Sequence, residues 1–334
     1  MNTTARLAGH LAIATLMIAA VSSPALAQSA QAQSLKPWRQ AIIAPKSDAG
    51  FFLMAAKRGF AEREGLKVEL LEVKDDPIGM KALLSGEVDS FETTTGGIAA
   101  ASRGGDVKFL GCPWHAIPYV IMARSGITKM QDLVGKTISA SAPGTPPDTV
   151  ARAALALSQI KESDVRFAAV GGDRDRYNAL LGGVVDAAVV SNEYTPMPSS
   201  KGLNMLLEAR QALPKSIRFC TLMTGKTLTE RREDAIRFMT AEIKAFRYAV
   251  AHRDETIKLT REVTDAKPDD PRPAFTFDEA VKPGVVAADF PIPVENLTWM
   301  RDQLIELGQI PKGGDIAKIL NADIRARALE RIGK

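Results

Sequence analysis

The residues best suited to chemistry lie in four short polar runs between apolar segments. They are Lys46-Ser47-Asp48-Ala49-Gly50, Glu92-Thr93-Thr94-Thr95-Gly96, Pro143-Gly144-Thr145-Pro146 and Ser191-Asn192-Glu193-Tyr194. The chemistry they suit is binding rather than bond breaking. In the second and third runs, hydroxyls and backbone N–H groups stand where a helix begins. Unpaired amides and the helix dipole favour negative charge there. Ser47, Thr94 and Thr145 suit plain helix capping equally well. Asn192 and Glu193 also fit solvated turns. Lys46 can pair an anionic ligand or decorate a loop. Asp48 and Glu193 complicate an anion site, because an acidic group favours a ligand with a cationic or donor-rich part.

Catalytic patterns are missing. Apart from His10, histidine occurs only at His115 and His252. No HExxH, CxxC or carboxylate–His cluster is present, so no transition-metal site is expected. No G-x-S-x-G elbow occurs. Gly135-Lys136-Thr137 and Gly225-Lys226-Thr227 end like phosphate loops, but Met130 and Cys220 stand where the leading glycine belongs. No cofactor is expected. Cys112 and Cys220 could bridge in an oxidising compartment. Their apolar surroundings favour two buried free thiols instead, and His115 beside Cys112 reads as structural.

Strands and helices alternate around these runs. Strands are expected over 40–44, 67–73, 88–91 and 107–112, with helices over 51–64, 76–84 and 94–103 between them. This order predicts an α/β unit with a mostly parallel sheet. The pattern restarts with strands over 119–123, 136–140, 166–170 and 185–190 and helices over 148–159 and 174–181. Ala82-Leu83-Leu84-Ser85-Gly86-Glu87-Val88-Asp89 matches Ala179-Leu180-Leu181-Gly182-Gly183-Val184-Val185-Asp186 at six of eight positions. Each copy ends a helix on glycine and feeds a strand through an aspartate. A return strand follows over 218–224. The remainder is mostly helical, over 231–252, 254–264 and 297–307, with a Pro/Asp-rich loop over 267–273. It holds too few strands for a domain of its own, so it should pack back on the first unit.

The ends and composition set the address. Arg6 precedes an apolar run from Leu11 to Val21, followed by Pro24 and Ala25-Leu26-Ala27. That order is the grammar of a cleavable signal peptide over residues 1–27. The apolar run is shorter than the roughly 20 residues that span a bilayer. Residues 28–34 are polar and small, a loose leader. With no cysteine near the cleavage site, a lipid anchor is not expected, and the protein should be periplasmic. Net charge is +4 over 334 residues. That is mild and unclustered, which disfavours nucleic acid as a partner. Hydrophobic residues make up 46% of the chain, which excludes disorder, and the length predicts two domains.

Three segments together carry a family resemblance. Phe51-Phe52-Leu53-Met54-Ala55-Ala56-Lys57-Arg58-Gly59-Phe60 through Glu69, the Ala82–Asp89 stretch, and Ile127-Thr128-Lys129-Met130-Gln131-Asp132-Leu133-Val134-Gly135-Lys136-Thr137-Ile138 resemble the nitrate/sulfonate/taurine (NMT1/THI5-like, SsuA-like) solute-binding proteins of ABC importers. The resemblance covers about residues 38–260. It implies a type II periplasmic-binding-protein fold, two α/β lobes joined by two crossover strands. Lobe one would be residues 35–113 and 220–334, and lobe two 117–215. The crossovers would fall near Pro113–Tyr119 and Ile217–Thr221. Cys112 and Cys220 would then share one hinge, which improves the case for a bridge. Trp114 would lie at the crossover, either as a stacking wall or as hinge packing.

On that fold the four polar runs would face one cleft, since ligands bind beyond the carboxyl ends of strands in open α/β sheets. The implied ligand-binding set is Lys46, Ser47, Asp48, Thr93, Thr94, Thr95, Trp114, Gly144, Thr145, Asn192 and Glu193. The implied function is capture of a small, anionic ligand and delivery to an ABC permease with its cytoplasmic ATPase. The carrier would be monomeric and not membrane-embedded, and it would catalyse nothing. Two rivals remain: an enzyme on the same fold resembling the thiamine-pyrimidine synthases, and a ligand sensor that feeds no transporter.

Overall fold

The computed structural model describes residues 1–2 and 34–333. The expected signal peptide and its leader, residues 1–34, lie almost entirely outside the described residues. Among the described residues, no helix is long and apolar enough to cross a membrane.

The chain builds two five-stranded sheets. The first contains β1 (Lys36–Ile43), β2 (Leu66–Val73), β3 (Ser90–Glu92), β4 (Lys108–Trp114) and β10 (Phe219–Met223), in the order β2-β1-β3-β10-β4. The second contains β5 (Tyr119–Ala123), β6 (Thr137–Ala140), β7 (Arg166–Ala169), β8 (Ala187–Ser191) and β9 (Asn204–Glu208), in the order β7-β6-β8-β5-β9. The two orders share one plan. Three strands run parallel, and the next one is antiparallel to both its neighbours. Four of the five strands in each sheet therefore run the same way, as expected of mostly parallel sheets, and β10 or β5 alone runs against them. Strand β10 returns late in the chain and inserts between β3 and β4.

The first half begins with three short helical pieces, α1 (Ala49–Phe52), α2 (Met54–Lys57) and α3 (Phe60–Arg63). A single helix over 51–64 was expected from the periodicity. Gly59 at φ +75° breaks the run before α3. Helix α4 (Asp76–Ser85) starts where Asp75 accepts the Ile78 N–H at 3.1 Å, and Gly86 closes it at φ +76°. Helix α5 (Thr95–Ser102) follows β3. In the second half α6 (Pro146–Leu157) follows β6, α7 (Asp173–Leu181) follows β7, and α8 (Ala209–Ala212) follows β9.

The repeated octapeptide occupies equivalent places in the two halves. Asp89 Oδ2 accepts the Arg39 N–H of β1 at 2.8 Å, and Asp186 Oδ2 accepts the Thr137 N–H of β6 at 2.9 Å. Each aspartate's own N–H donates back to the same residue, at 2.7 and 2.9 Å. The sequence echo is thus one turn, built twice.

The C-terminal part is helical: α9 (Gly225–Glu230), α10 (Arg232–Ala251), α11 (Arg253–Thr264), α12 (Arg272–Ala280), α13 (Val294–Glu306), α14 (Ile316–Ile319) and α15 (Ala322–Ile332). The buried face of α10 covers one side of the first sheet, where Trp38 stacks on Phe238 at 5.0 Å. Phe51, Phe52 and Trp114 pack into the same core, with Phe52 and Trp114 stacked at 5.6 Å. Full burial of each such ring contributes about 1.5–3 kcal/mol. Leu297, Met300 and Leu304 of α13 cover the opposite side of that sheet. The second sheet has its own apolar layers on both faces.

Cys112 of β4 and Cys220 of β10 form a disulfide. This corrects the expectation of two free thiols. The two strands are antiparallel neighbours in the sheet, which brings the sulfurs together across one strand pair.

Candidate functional site

A cavity of about 1200 Å³ opens where the two sheets' parallel strands end. Loops after β1, β2 and β3 form one wall, with Lys46, Ser47, Asp48, Asp76, Glu92, Thr93 and Thr95. Loops after β6, β7 and β8 form the other, with Thr145, Asp173, Arg176, Glu193 and Tyr194. Tyr119 and Arg218 close the end where the chain passes between the sheets. The segment between α11 and α12, with Asp270, and Arg272 at the start of α12 close a further side. A ligand site at the carboxyl ends of the strands follows from the topology, because their loops are free of the sheet ladder there.

Charged pairs knit this cavity. Lys46 donates to Asp173 across it, and Asp173 also accepts from Arg176. Arg176 is 2% exposed, and its remaining N–H groups donate to the carbonyls of Val189 and Gly171, each at 2.6 Å. It thereby fixes the loop that carries Asp173. Arg218 pairs with Asp48, and its guanidinium lies 4.5 Å from the Phe219 ring centre and 5.1 Å from that of Trp114. Arg272 is held by Asp270 and lies over Tyr194 at 5.4 Å. Tyr194 stacks on Tyr177 at 4.4 Å, and the Tyr177 hydroxyl bonds Ser199 and Ser200.

The ionisation of these groups follows their surroundings. Burial works against the Asp173 charge, but Lys46 and Arg176 outweigh it and hold the carboxyl below its usual range. Burial likewise opposes the Lys46 ammonium, and Asp173 overrides it and raises that group. The unpaired acids behave in the opposite sense. Burial pushes Asp76 up to about 6, against a hydrogen bond from Thr93. Burial, with Asp48 nearby, pushes Glu92 up to about 8. Glu193 rises through burial and the proximity of Asp48 and Asp173.

Seven of the sequence-predicted residues line the cavity: Lys46, Ser47, Asp48, Thr93, Thr95, Thr145 and Glu193. Four lie elsewhere. Thr94 is fully buried, and its hydroxyl donates to Cys220 Sγ at 3.4 Å. Trp114 is packed between Phe51, Phe52 and Arg218. Gly144 lines a separate, smaller cavity beside Asp148 and Gln309. The Asn192 carbonyl closes the turn after β8 by accepting from Thr195, and its side chain is not among the lining groups. Sequence reasoning missed Asp173, Arg176, Arg218, Tyr119 and Arg272. The dense Asp173-Arg174-Asp175-Arg176-Tyr177 start of α7 was the one legible signal. His115 is turned away, with Nε2 at 2.9 Å from the Cys112 carbonyl.

The NMT1/THI5-like family model matches residues 46–256. The chain belongs to this family. Sequence comparison with curated proteins finds no match. Among solved structures, the alkanesulfonate-binding protein SsuA from Xanthomonas axonopodis pv. citri, bound to MOPS, superposes with a TM-score of 0.71. It is 17% identical over 86% of this chain and 98% of that one. The periplasmic nitrate-binding protein NrtA from Synechocystis PCC 6803 gives a TM-score of 0.73 at 13% identity, over 90% of this chain and 89% of that one. The desulfurization enzyme DSZB gives 0.64 at 13% identity, over 89% and 99%. This NMT1/THI5-like chain therefore has the periplasmic-binding-protein fold, and similar folds serve both binding proteins and an enzyme.

Proposed function

We propose that this protein is a periplasmic solute-binding protein that encloses a small ligand between two lobes and delivers it to an ABC importer. Lobe one is residues 35–113 with 220–334, and lobe two is 117–215. The observation that carries the reading is the cavity of about 1200 Å³ built from both sheets and bridged by Lys46 and Asp173. A ligand that touches both walls binds the closed form better than the open one. Only that difference in affinity shifts the population between them. The closed form is what a permease, with its cytoplasmic ATPase, recognises. Export through a signal peptide over residues 1–27 fits this role, as do the binding-protein neighbours.

The ligand-enclosing cavity needs no bond chemistry. No histidine is among its lining groups, and Cys112 and Cys220 are held in a disulfide and offer no thiolate. The test is recovery of the bound compound. Ligand extracted from protein purified from the periplasm should be chemically unchanged after long incubation, and deleting the gene should abolish its uptake. Turnover of the compound points to the enzyme reading, and unchanged uptake points to a sensor.

A further inference from the structure

Helix α13 has footholds in both halves of the molecule. Leu297, Met300 and Leu304 are buried in the core of the first sheet. Trp299 packs against the cores of both sheets, and Leu307, just past the helix end, packs against that of the second. Asn296 Nδ2 donates to the Lys215 carbonyl at 3.0 Å, and the Met300 sulfur accepts the Ile217 N–H at 3.1 Å. These bonds place α13 beside the segment by which the chain returns to the first sheet.

Gln309, the third residue after α13, divides its hydrogen bonds between the two halves. Its backbone stays with the first. The N–H donates to the Leu304 carbonyl at 2.9 Å, and the carbonyl accepts from Arg103, just past α5, at 3.1 Å. Its side chain goes to the second. Nε2 donates to Asp148 Oδ2 at 2.9 Å, and Oε1 accepts from the Thr149 hydroxyl at 2.8 Å. The carboxylate accepts only, which fixes the end of the amide that faces it. Asp148 and Thr149 stand in the first turn of α6 and are 2% and 6% exposed. Asp148 also accepts the Gly144 N–H, and the next residue, Thr145, lines the ligand cavity. Gln309 therefore reaches that wall through Asp148.

Packing beside these bonds is incomplete. The smaller cavity, about 530 Å³, lies between Leu304, Leu307 and Ile310 on one side and Gly144 and Arg152 on the other. A gap forfeits dispersion contacts, so the hydrogen bonds carry more of the joint. Asp76 and Thr95 line both cavities, which puts the joint on the flank of the ligand cleft.

We propose that Gln309 is a latch between the lobes: it holds α6 against α13 and so sets how far the cleft opens without ligand. The proposal rests on the binding-protein reading, in which the two lobes separate. It makes Gln309 a positioning residue that acts through Asp148 and Thr149. A rotation that carries α6 away from α13 breaks both side-chain bonds and spares both backbone bonds. The bond to Asp148 is charge-assisted, so it is the stronger of the two. The latch works together with the Lys46–Asp173 pair, which bridges the same two walls.

Spin labels at Lys81→Cys on α4 and Lys161→Cys after α6, both exposed positions, read the distance between the lobes by pulsed electron paramagnetic resonance. The labelled, ligand-free protein is the parent. Gln309→Met keeps the length of the side chain and removes both bonds, whereas Thr149→Val keeps the shape and removes one. Gln309→Met should raise the ratio of open to closed molecules about tenfold, and Thr149→Val should raise it less. The double variant should match Gln309→Met, because both changes act on one joint. A role in packing alone would lower the melting temperature and leave the distances where they were. Distances in Gln309→Met that match the parent's overturn the proposal, as does a Thr149→Val effect that adds in full to it. If Gln309→Met does not fold, Thr149→Val decides, and unchanged distances there overturn the proposal as well. Each of these leaves the carrier reading standing, since uptake in the deletion strain judges that separately.

Discussion

Lys46 and Asp173 join the two walls of the cleft by one ion pair. Lys46 follows β1 of the first sheet, and Asp173 opens α7 on the second. The partners are unequal. The Lys46 side chain is 28% exposed, whereas Asp173 is 4% exposed and also serves Arg176. Asp173→Asn should therefore cost more stability than Lys46→Met, because it leaves Arg176 buried beside a neutral group. The expected losses are roughly 2–4 kcal/mol for Asp173→Asn and roughly 1 kcal/mol for Lys46→Met. Both variants should also open the ligand-free cleft, read as a larger radius of gyration by solution scattering. Scattering profiles that overlay the parent's would show that the pair does not hold the walls together.

The buried acids predict an inverted response to pH. Glu242 of α10 is 1% exposed with both carboxylate oxygens unpartnered, and burial beside Glu92 holds it well above its usual range. Glu92 itself is held at about 8 by burial and Asp48. For an acid raised on folding, the unfolded chain releases its proton first. Stability contributed by Glu92 is therefore full below the ordinary glutamate range and is lost as pH rises from about 4.5 towards about 8, and that of Glu242 is lost in the same direction. Glu92→Gln and Glu242→Gln should each raise the melting temperature at pH 7.5, by the equivalent of roughly 1–3 kcal/mol, and change little at pH 4.5. Equal effects at the two pH values would defeat this account.

The Cys112–Cys220 disulfide ties strands that are 108 residues apart in sequence. Closing a loop of that length removes much unfolded-chain entropy, up to about 4–5 kcal/mol. A double Cys112→Ser, Cys220→Ser variant should lose about 2–4 kcal/mol in denaturant unfolding. Both sulfurs are fully buried, so the variant is a better probe than added reductant. An unchanged denaturation midpoint would mean that the strand pair is set by the sheet alone.

Local rules made the strands legible, and they failed where distant residues decide the outcome. Strand β5 falls on its expected residues because Tyr119–Ala123 is a short apolar run with clear ends. The mixed sheet order was not readable, since the place of β10 depends on contacts more than 100 residues apart. The cleft divides in the same way. Ser47, Asp48, Thr93 and Glu193 follow strand ends and were found from that alone. Arg218 was missed because its role comes from Asp48, 170 positions away in the chain. The Pro/Asp-rich run near residue 270 reads as a loop, and only the fold shows that Asp270 and Arg272 wall the cavity. Thr94 marks the converse failure: a good capping residue in a good position whose hydroxyl is spent on Cys220.

The repeated turn gives a matched pair of mutations. Asp89 and Asp186 each accept a backbone N–H from the neighbouring strand, at 2.8 and 2.9 Å. Their surroundings differ. The Asp89 side chain is 4% exposed and also engages Arg39 and Arg231, whereas Asp186 is 27% exposed with Arg124 at 4.0 Å. The Arg39 and Arg231 bonds hold the Asp89 carboxyl below its usual range, although burial opposes them. Truncating Asp89 leaves a strand N–H without its acceptor and removes the buried carboxylate shared by the partly exposed Arg39 and Arg231. Truncating Asp186 leaves an N–H that water can reach. Asp89→Ala should therefore cost roughly 2–4 kcal/mol and Asp186→Ala roughly 1 kcal/mol. The Asp89 contribution should also fade as pH falls through the carboxylate range, because a depressed acid loses its stabilising charge there. Thermal unfolding of both variants at pH 7 and pH 3 checks both statements. Equal losses at pH 7 would mean that the shared backbone bond, and not the charge around it, carries the stability of the turn.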